Sequence, residues 1–551
     1  MRWAFVVFAL LLCRNFQAEA PGAAPVYDVL IANGRVLDGS GSPAVLSDVA
    51  IQGDTIAAVG RMPDARAALR IDARGMHVAP GFIDIHTHAR HGIFDVPTAE
   101  NYIRQGVTTV IEGQDGNSPI PLRPFLARLA DSAIAVNFGM LAGQGSIREA
   151  VMGLEARQAT AAEMAKMCEL MRQAMLDGAF GISTGLLYVP GNYTPIEEII
   201  ELARVAGRMG GIHISHMRDE AAGVAESVRE TIRIGEESGL PTQITHHKVV
   251  GKGNWGASRT TLRLVEEARA RGVDVSIDQY PYTASSTSIS ALFPPWALAG
   301  GQAALIRRLA DPAQRAKIKA GIVDRLTNDR GGGDPKNVVI ARCWSDDSLT
   351  GKSLADILAA RGIAVSMESA AETVIELQSR GGCQAIFHAM AEEDVIRIMT
   401  SPHTMIASDG EVPIFGSGSP HPRSYGTFAR VLGQYVREKK VLPLEEAVRK
   451  MTFLPAARLR LADRGLLRPG MKADVVVFDA ETVADRATFL HPHQYATGFS
   501  AVLVNGRPVI LNGKLTANRP GRVLWGPAAH ARLKSVFDRP ANLGTPAFRP
   551  D

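Results

Sequence analysis

Histidines and carboxylates recur in this sequence at positions suited to a divalent metal ion. His86 and His88 lie in Gly81-Phe82-Ile83-Asp84-Ile85-His86-Thr87-His88. On a β-strand, side chains two apart point the same way, so this pair presents two imidazoles to one ion. His216 ends the run Gly211-Ile212-His213-Ile214-Ser215-His216, and His246 ends Thr242-Gln243-Ile244-Thr245-His246. Asp409 follows Ile406-Ala407-Ser408. Glu112 and Asp115, in Glu112-Gly113-Gln114-Asp115, offer two carboxylates, either of which completes or bridges such a site. Imidazole nitrogen with carboxylate oxygen suits zinc or a similar ion. Each of these residues alone also reads as a hydrogen-bonded histidine or a solvated loop carboxylate. Their recurrence at one place in the chain's rhythm favours the metal. Such an ion makes hydroxide available near neutral pH and polarises a carbonyl. A carboxylate such as Asp409 takes the water's proton and later delivers it to a leaving amine. Amides, cyclic amides and esters all fit; the ligands alone do not choose.

Short β-favouring runs at residues 107–111, 211–215, 242–245 and 405–408 are followed or preceded by segments with helical spacing, at 196–209 and 222–237 among others. Thr194-Pro195 followed by Glu197-Glu198 suits a helix start. Repeated βα units predict a parallel sheet, open or closed. About nine strands are predicted, one more than a (β/α)8 barrel needs. A parallel barrel gathers the C-terminal ends of its strands on one face, and there the histidines and Asp409 would meet. Both chain ends differ in texture. Residues 27–31, 48–52, 55–59, 473–478 and 502–506 are strands punctuated by turns, which predicts one small β domain built from the two ends. Residues 291–362 break the βα rhythm with Pro294-Pro295 and Gly331-Gly332-Gly333, as an insertion would.

The chain has 551 residues, a formal net charge of +4, 46% hydrophobic and 21% charged residues. That length suits two or three domains, and that composition excludes a mainly disordered chain. Near-balanced charge gives no reason to expect nucleic acid as a partner. No internal stretch reaches the roughly 20 apolar residues of a membrane span. Residues 3–12 form an apolar run of signal-peptide length after Arg2, and Ala18-Glu19-Ala20 resembles a cleavage site followed by an awkward Pro21. Residues 1–20 are therefore expected to be a signal peptide, with export to the periplasm or the medium. Cys168, Cys343 and Cys383, far apart and odd in number outside that leader, are expected to be buried small residues.

The motifs resemble a known family. Ala79-Pro80-Gly81-Phe82-Ile83-Asp84-Ile85-His86-Thr87-His88 is similar to the opening of the amidohydrolase superfamily, and Gly465-Leu466-Leu467-Arg468-Pro469-Gly470-Met471-Lys472-Ala473-Asp474 to its closing motif. Residues 183–191, 215–220, 278–284 and 421–426 resemble the N-acyl-D-amino-acid deacylases, or D-aminoacylases. The resemblance runs from about residue 27 to 521 and implies an α/β fold. That fold is a TIM-like (β/α)8 metal-dependent hydrolase barrel at 81–462, interrupted by the 291–362 insertion. A small β-sandwich domain at 26–80 and 463–526 completes it. It implies one or two zinc ions held by His86, His88, His216 and His246, with Asp409 as general base and metal ligand. Asp115 stands where many members of the family carry a cysteine ligand; Glu112 is the reserve. A carboxylate there is a harder ligand than a thiolate. His246 is taken as the ligand over His247, which points the other way if the strand continues.

The implied substrate is an N-acylated D-amino acid, cleaved to a carboxylate and a free D-amino acid. Motif matching puts Lys248, Tyr282, Ser286 and Arg423 around the substrate carboxylate, with Tyr188 near the carbonyl. The competing reading within the superfamily is a cyclic-amide hydrolase or a dipeptidase acting on D-residue or isoaspartyl peptides. A neutral ring amide has no need of these cations. A binding module on a decayed barrel is opposed by the presence of all five of His86, His88, His216, His246 and Asp409.

Overall fold

The computed structural model describes residues 26–530. The expected signal peptide over 1–20 lies outside the described residues. Eight parallel runs form the barrel. In chain order they are Phe82–Asp84, Val107–Glu112, Asn137–Met140 continuing as Ala142–Gly143, Gly181–Gly185, Ile212–His216, Thr242–Ile244, Val275–Gln279 and Thr404–Ile406. They pair in that order, with registers such as Gly185 opposite His216. The barrel closes where Gly410–Glu411 runs beside Thr87–His88, with Asp409 N donating to His86 O at 2.9 Å. These strands are buried on both sides because helices cover the outside, and they carry buried polar residues such as Thr109, Thr184, Ser215 and Gln243 as well as apolar ones. The helix Ile196–Arg208 shows the fit: Ile199, Ile200, Leu202, Ala203 and Ala206 are buried, while its polar face stays outside.

The two chain ends meet in one branched nine-stranded sheet. Val26–Val36 pairs antiparallel with Val45–Gln52 and parallel with Arg66–Asp72, and its far end pairs with His77–Pro80. His77–Pro80 then pairs with Val475–Phe478 from the other end of the chain. Val29, Ile31, Val49, Val475 and Leu503 form its core. Asp474 locks this domain to the barrel: its carboxylate accepts from Asn137 Nδ2 at 3.1 Å and Asn505 N at 2.7 Å and is ion-paired with Arg464.

The insertion is longer than expected. It has its own sheet, Ser285–Ser288, Val338–Cys343 and Cys383–Phe387, all antiparallel, and its own core of Ile289, Leu305, Ile322, Leu358, Val374 and Phe387. It therefore spans 285–387 rather than 291–362. The helix Met367–Ser379 and the strand after it restore a helix-then-strand order that imitates a barrel unit, which hides the boundary. The cysteine expectation is also corrected. Cys343 and Cys383 are directly opposite in adjacent strands, with Cα atoms 4.3 Å apart, and form a disulfide. Forty residues separate them in sequence, so spacing gave no sign of it. Cys168 is free and only partly buried.

Candidate metal centre

Five barrel strands deliver the site. His86 and His88 follow the first, Asp115 the second, His216 ends the fifth, His246 follows the sixth and Asp409 the eighth. The chain bends at Ile85-His86, so the pair does not lie on one regular strand. The two rings still converge, with centroids 5.5 Å apart. Asp115, His246 and Asp409 all hold a left-handed backbone, at φ 55°, 35° and 52°. Such conformations cost of order 1–3 kcal/mol each and persist where the surroundings enforce them. At Asp115 the enforcement is visible: Gly113 and Gly116 take φ 85° and 72°, and a Cβ on Gly116 would lie 2.8 Å from Gly185 N.

Asp115 is the centre of the group. Its Oδ1 lies 3.7 Å from His86 Nε2 and 3.5 Å from His246 Nε2. Its Oδ2 lies 3.6 Å from His88 Nε2 and 3.5 Å from His216 Nδ1. Each oxygen thus faces one imidazole from each pair. Asp409 Oδ1 lies 3.4 Å from His86 Nε2 and 3.1 Å from His88 Nε2. Two overlapping sets of donors result, His86-His88-Asp115-Asp409 and Asp115-His216-His246, each with donor atoms within 4.8 Å of one another. His86 Nε2 and Asp115 Oδ1 are buried with no hydrogen-bond partner among the described residues. Buried polar atoms are rarely left so, and a divalent ion satisfies both.

Groups behind His86 fix its tautomer. Thr245 Oγ1 donates to Asp278 Oδ2 at 2.6 Å and so accepts from His86 Nδ1, which leaves His86 Nε2 with its lone pair free. Asp278 also takes His246 N at 2.7 Å. Burial pushes the His216 imidazole down to about 4, which favours the neutral ring, and its Nδ1 lies 2.7 Å from His246 Nε2. Burial opposes charge on His88 too, but hydrogen bonds to Asp115 and Asp409 overcome it and raise its pKa. Burial would raise Asp409; the Arg423 charge and His86 outweigh it and hold the carboxyl well below its usual range.

The other expected residues separate clearly. Glu112 is not among the donors: its Oε2 accepts Arg90 N at 2.9 Å. His247 turns away and bonds Thr261 Oγ1 at 2.8 Å. Arg423 is buried, not a surface charge, and donates to Asp409 Oδ2 at 2.6 Å. Lys248 is buried as well, with Nζ 2.5 Å from Glu220 Oε1 and 2.7 Å from His246 Nδ1. Tyr188 packs on the His216 ring at 4.6 Å, and its hydroxyl meets Thr287 Oγ1 at 3.0 Å. Lys248, Ser286, Arg423 and Tyr188 all line one cavity of about 280 Å³ over the donors. Tyr282 does not. Its ring packs on His421 and its hydroxyl faces Pro422 O at 3.5 Å. Tyr280 lines the cavity instead, its hydroxyl without a hydrogen-bond partner among the described residues. The strand stops at Gln279 and Pro281 redirects the chain, so the two tyrosines diverge. Tyr280 lies inside the 278–284 motif; Arg330, also in the cavity wall, has only the glycine run after it as a signal.

The amidohydrolase family model matches residues 70–510. The chain is 40% identical over 526 residues to a D-aminoacylase of Alcaligenes xylosoxydans xylosoxydans, covering 91% of this chain and 98% of that one. The crystal structure of a D-aminoacylase described as defining a novel subset of amidohydrolases superposes with a TM-score of 0.78 at 39% identity, covering 90% and 99% of the two chains. The N-acyl-D-glutamate deacylase of Bordetella bronchiseptica, solved with zinc and a phosphonate mimic of the tetrahedral intermediate, superposes with a TM-score of 0.79 at 35% identity, covering 91% and 100%.

Proposed function

The chain belongs to the amidohydrolase family, and we infer that its reaction is the metal-dependent hydrolysis of N-acyl-D-amino acids to a carboxylate and a free D-amino acid. The observation that carries this is the meeting of the Asp115-centred donor set with a wall of buried cations in one cavity. Zinc suits His86, His88, Asp115, His216, His246 and Asp409, and bound there it lowers the pKa of a water and polarises the amide carbonyl.

The chain's own residues do the rest. Asp409 Oδ1 faces the donor histidines while Arg423 holds its other oxygen, so the carboxylate is fixed beside the donor set, where it would take the proton of the attacking water. The same carboxyl then gives that proton to the amine as the C–N bond breaks. Lys248, Arg423, Ser286 and Tyr280 form the wall that receives the α-carboxylate, and charge-assisted hydrogen bonds there orient the amide. Tyr188, on the His216 ring, lines the same cavity. The test is release of free amine from paired N-acetyl-D- and N-acetyl-L-amino acids. Release from the D partner supports the reading, and release from cyclic amides alone replaces it with the hydrolysis of ring amides.

We propose that the protein is exported after removal of a leader. The apolar run at 3–12 supports this, as does the Cys343–Cys383 disulfide, since disulfides persist in oxidising compartments. Among the described residues no helix is long and apolar enough to cross a membrane. N-terminal sequencing of the native protein from separated cell fractions tests it; a cytosolic chain that still starts at Met1 refutes it.

A further inference from the structure

Arg330 is a buried cation at the wall of the metal cavity that no step above employs. It belongs to the insertion, in the turn Asp329-Arg330-Gly331-Gly332-Gly333 after the helix Pro312–Asn328. Backbone bonds close that turn, from Gly331 N to Arg325 O at 3.2 Å and from Gly333 N to Leu326 O at 3.0 Å. Gly332 and Gly333 take φ 59° and 82°, and a Cβ on Gly331 would collide with the Leu326 backbone. The glycines thus bend the chain sharply enough to drive one long side chain out of the insertion and into the barrel mouth.

The Arg330 side chain is 3% exposed. Its Nη2 donates to Glu220 Oε2 at 2.6 Å, while its Nε has no partner among the described residues. The other oxygen of Glu220 takes Lys248 Nζ at 2.5 Å. Asp329, next in the chain, is held by Arg325 at 2.6 Å. One carboxylate therefore stands between two cations. Tyr280 completes the wall, its ring centroid 5.7 Å from Lys248 Nζ and 4.9 Å from Arg423 Cζ.

Buried charges are stable when paired and hydrogen-bonded. Glu220 supplies one negative charge for two positive ones, and a guanidinium offers an incoming carboxylate a planar fork. We propose that Arg330 is a binding residue for the α-carboxylate of the acylated amino acid, brought to the barrel by the insertion and held between substrates by Glu220. The identity of the ligand rests on the deacylase reading. The insertion is then part of the active site rather than a neighbour of it.

The test uses the zinc-loaded protein and its R330Q and R330K variants. Turnover is measured on N-acetyl-D-leucine and on N-acetyl-D-leucinamide, nearly the same shape without the charge. Binding of D-leucine and D-leucinamide is measured by calorimetry. R330Q is expected to raise KM for the acid by about 10- to 100-fold, the range for one charged hydrogen bond, with kcat little changed. It is expected to weaken D-leucine similarly and leave both amides unchanged, while R330K recovers part of the loss. Equal losses on acid and amide would make Arg330 only the counter-ion of Glu220 and overturn the proposal; so would no change on either. If R330Q does not fold, R330K carries the test, since it keeps the charge and loses the fork: an acid-specific rise in KM supports the proposal, and its absence overturns it. A wild-type protein that turns over no acylamino acid refutes the deacylase reading alone. Calorimetry then decides on Arg330, because D-leucine must bind the wild type more tightly than R330Q.

Discussion

Arg423 donates to Asp409 at 2.6 Å with both side chains buried, so the proposed general base is held by a cation that also faces the substrate. Arg423 lowers the Asp409 pKa against the effect of burial. Removing it raises that pKa, and the base stays protonated to higher pH. R423M should therefore move the acidic limb of the kcat/KM profile upward and lower its plateau by about 100-fold or more, as losing one partner of a buried charge pair does. R423K should keep part of the plateau. A pH–rate series on both variants checks this.

Asp115 faces all four histidines, so it is predicted to be the donor that both overlapping sets depend on. D115A should lower bound zinc below the wild-type stoichiometry and reduce kcat by about 100-fold or more, the upper end seen when a group supporting a metal is lost. D115C replaces a hard donor with a soft one and should favour cadmium over manganese relative to the wild type. Elemental analysis after dialysis against metal mixtures reads both effects, independently of turnover.

A second cavity of about 310 Å³ leaves the site at Tyr188 and Val189 and runs between Leu187, Ala291, Phe293 and Leu298. Its cation, Arg325, is already paired with Asp329. An apolar side chain fits this arm and a carboxylate does not, because burying an unpaired charge is costly. N-acetyl-D-leucine and N-acetyl-D-phenylalanine should exceed N-acetyl-D-glutamate and N-acetyl-D-aspartate in kcat/KM by about 100-fold. A phenylalanine-to-glutamate series of acyl substrates measures it.

The parts of this molecule readable from sequence are those governed by local pattern. His86, His88, His216, His246 and Asp409 stand at strand ends, and strand ends show as apolar runs ending in a polar residue. Residue types alone left Asp115 as one of two carboxylates, the family resemblance preferred it, and its turn geometry separates it from Glu112. Tyr280 and Tyr282 differ by a redirection at Pro281 that alternation does not reveal. Arg330, the Cys343–Cys383 bridge and the full extent of the insertion depend on contacts between distant segments, which no periodicity carries.

His213 lies in the barrel wall between Thr242 Oγ1 at 2.7 Å and Thr184 Oγ1 at 3.0 Å. Burial pushes its pKa down to about 3 from 6.5. The unfolded chain therefore binds a proton below pH 6.5 that the folded chain refuses. Stability should fall as pH drops from 6.5 toward 3, with this one group contributing up to about 1.4 kcal/mol per pH unit. H213N should show a shallower slope over that window. Denaturant midpoints at a series of pH values check the sign.

The central claim is that the Asp115-centred set holds the ion that makes amide hydrolysis possible. Its most direct measurement is amine release from N-acetyl-D-leucine by metal-stripped protein titrated with zinc, with bound zinc counted in the same samples. Activity should be absent without metal and should rise with zinc bound, in the wild type but not in a H86A, H88A double variant. Full activity in the stripped protein, or a zinc-dependent rise that survives loss of both histidines, would contradict it.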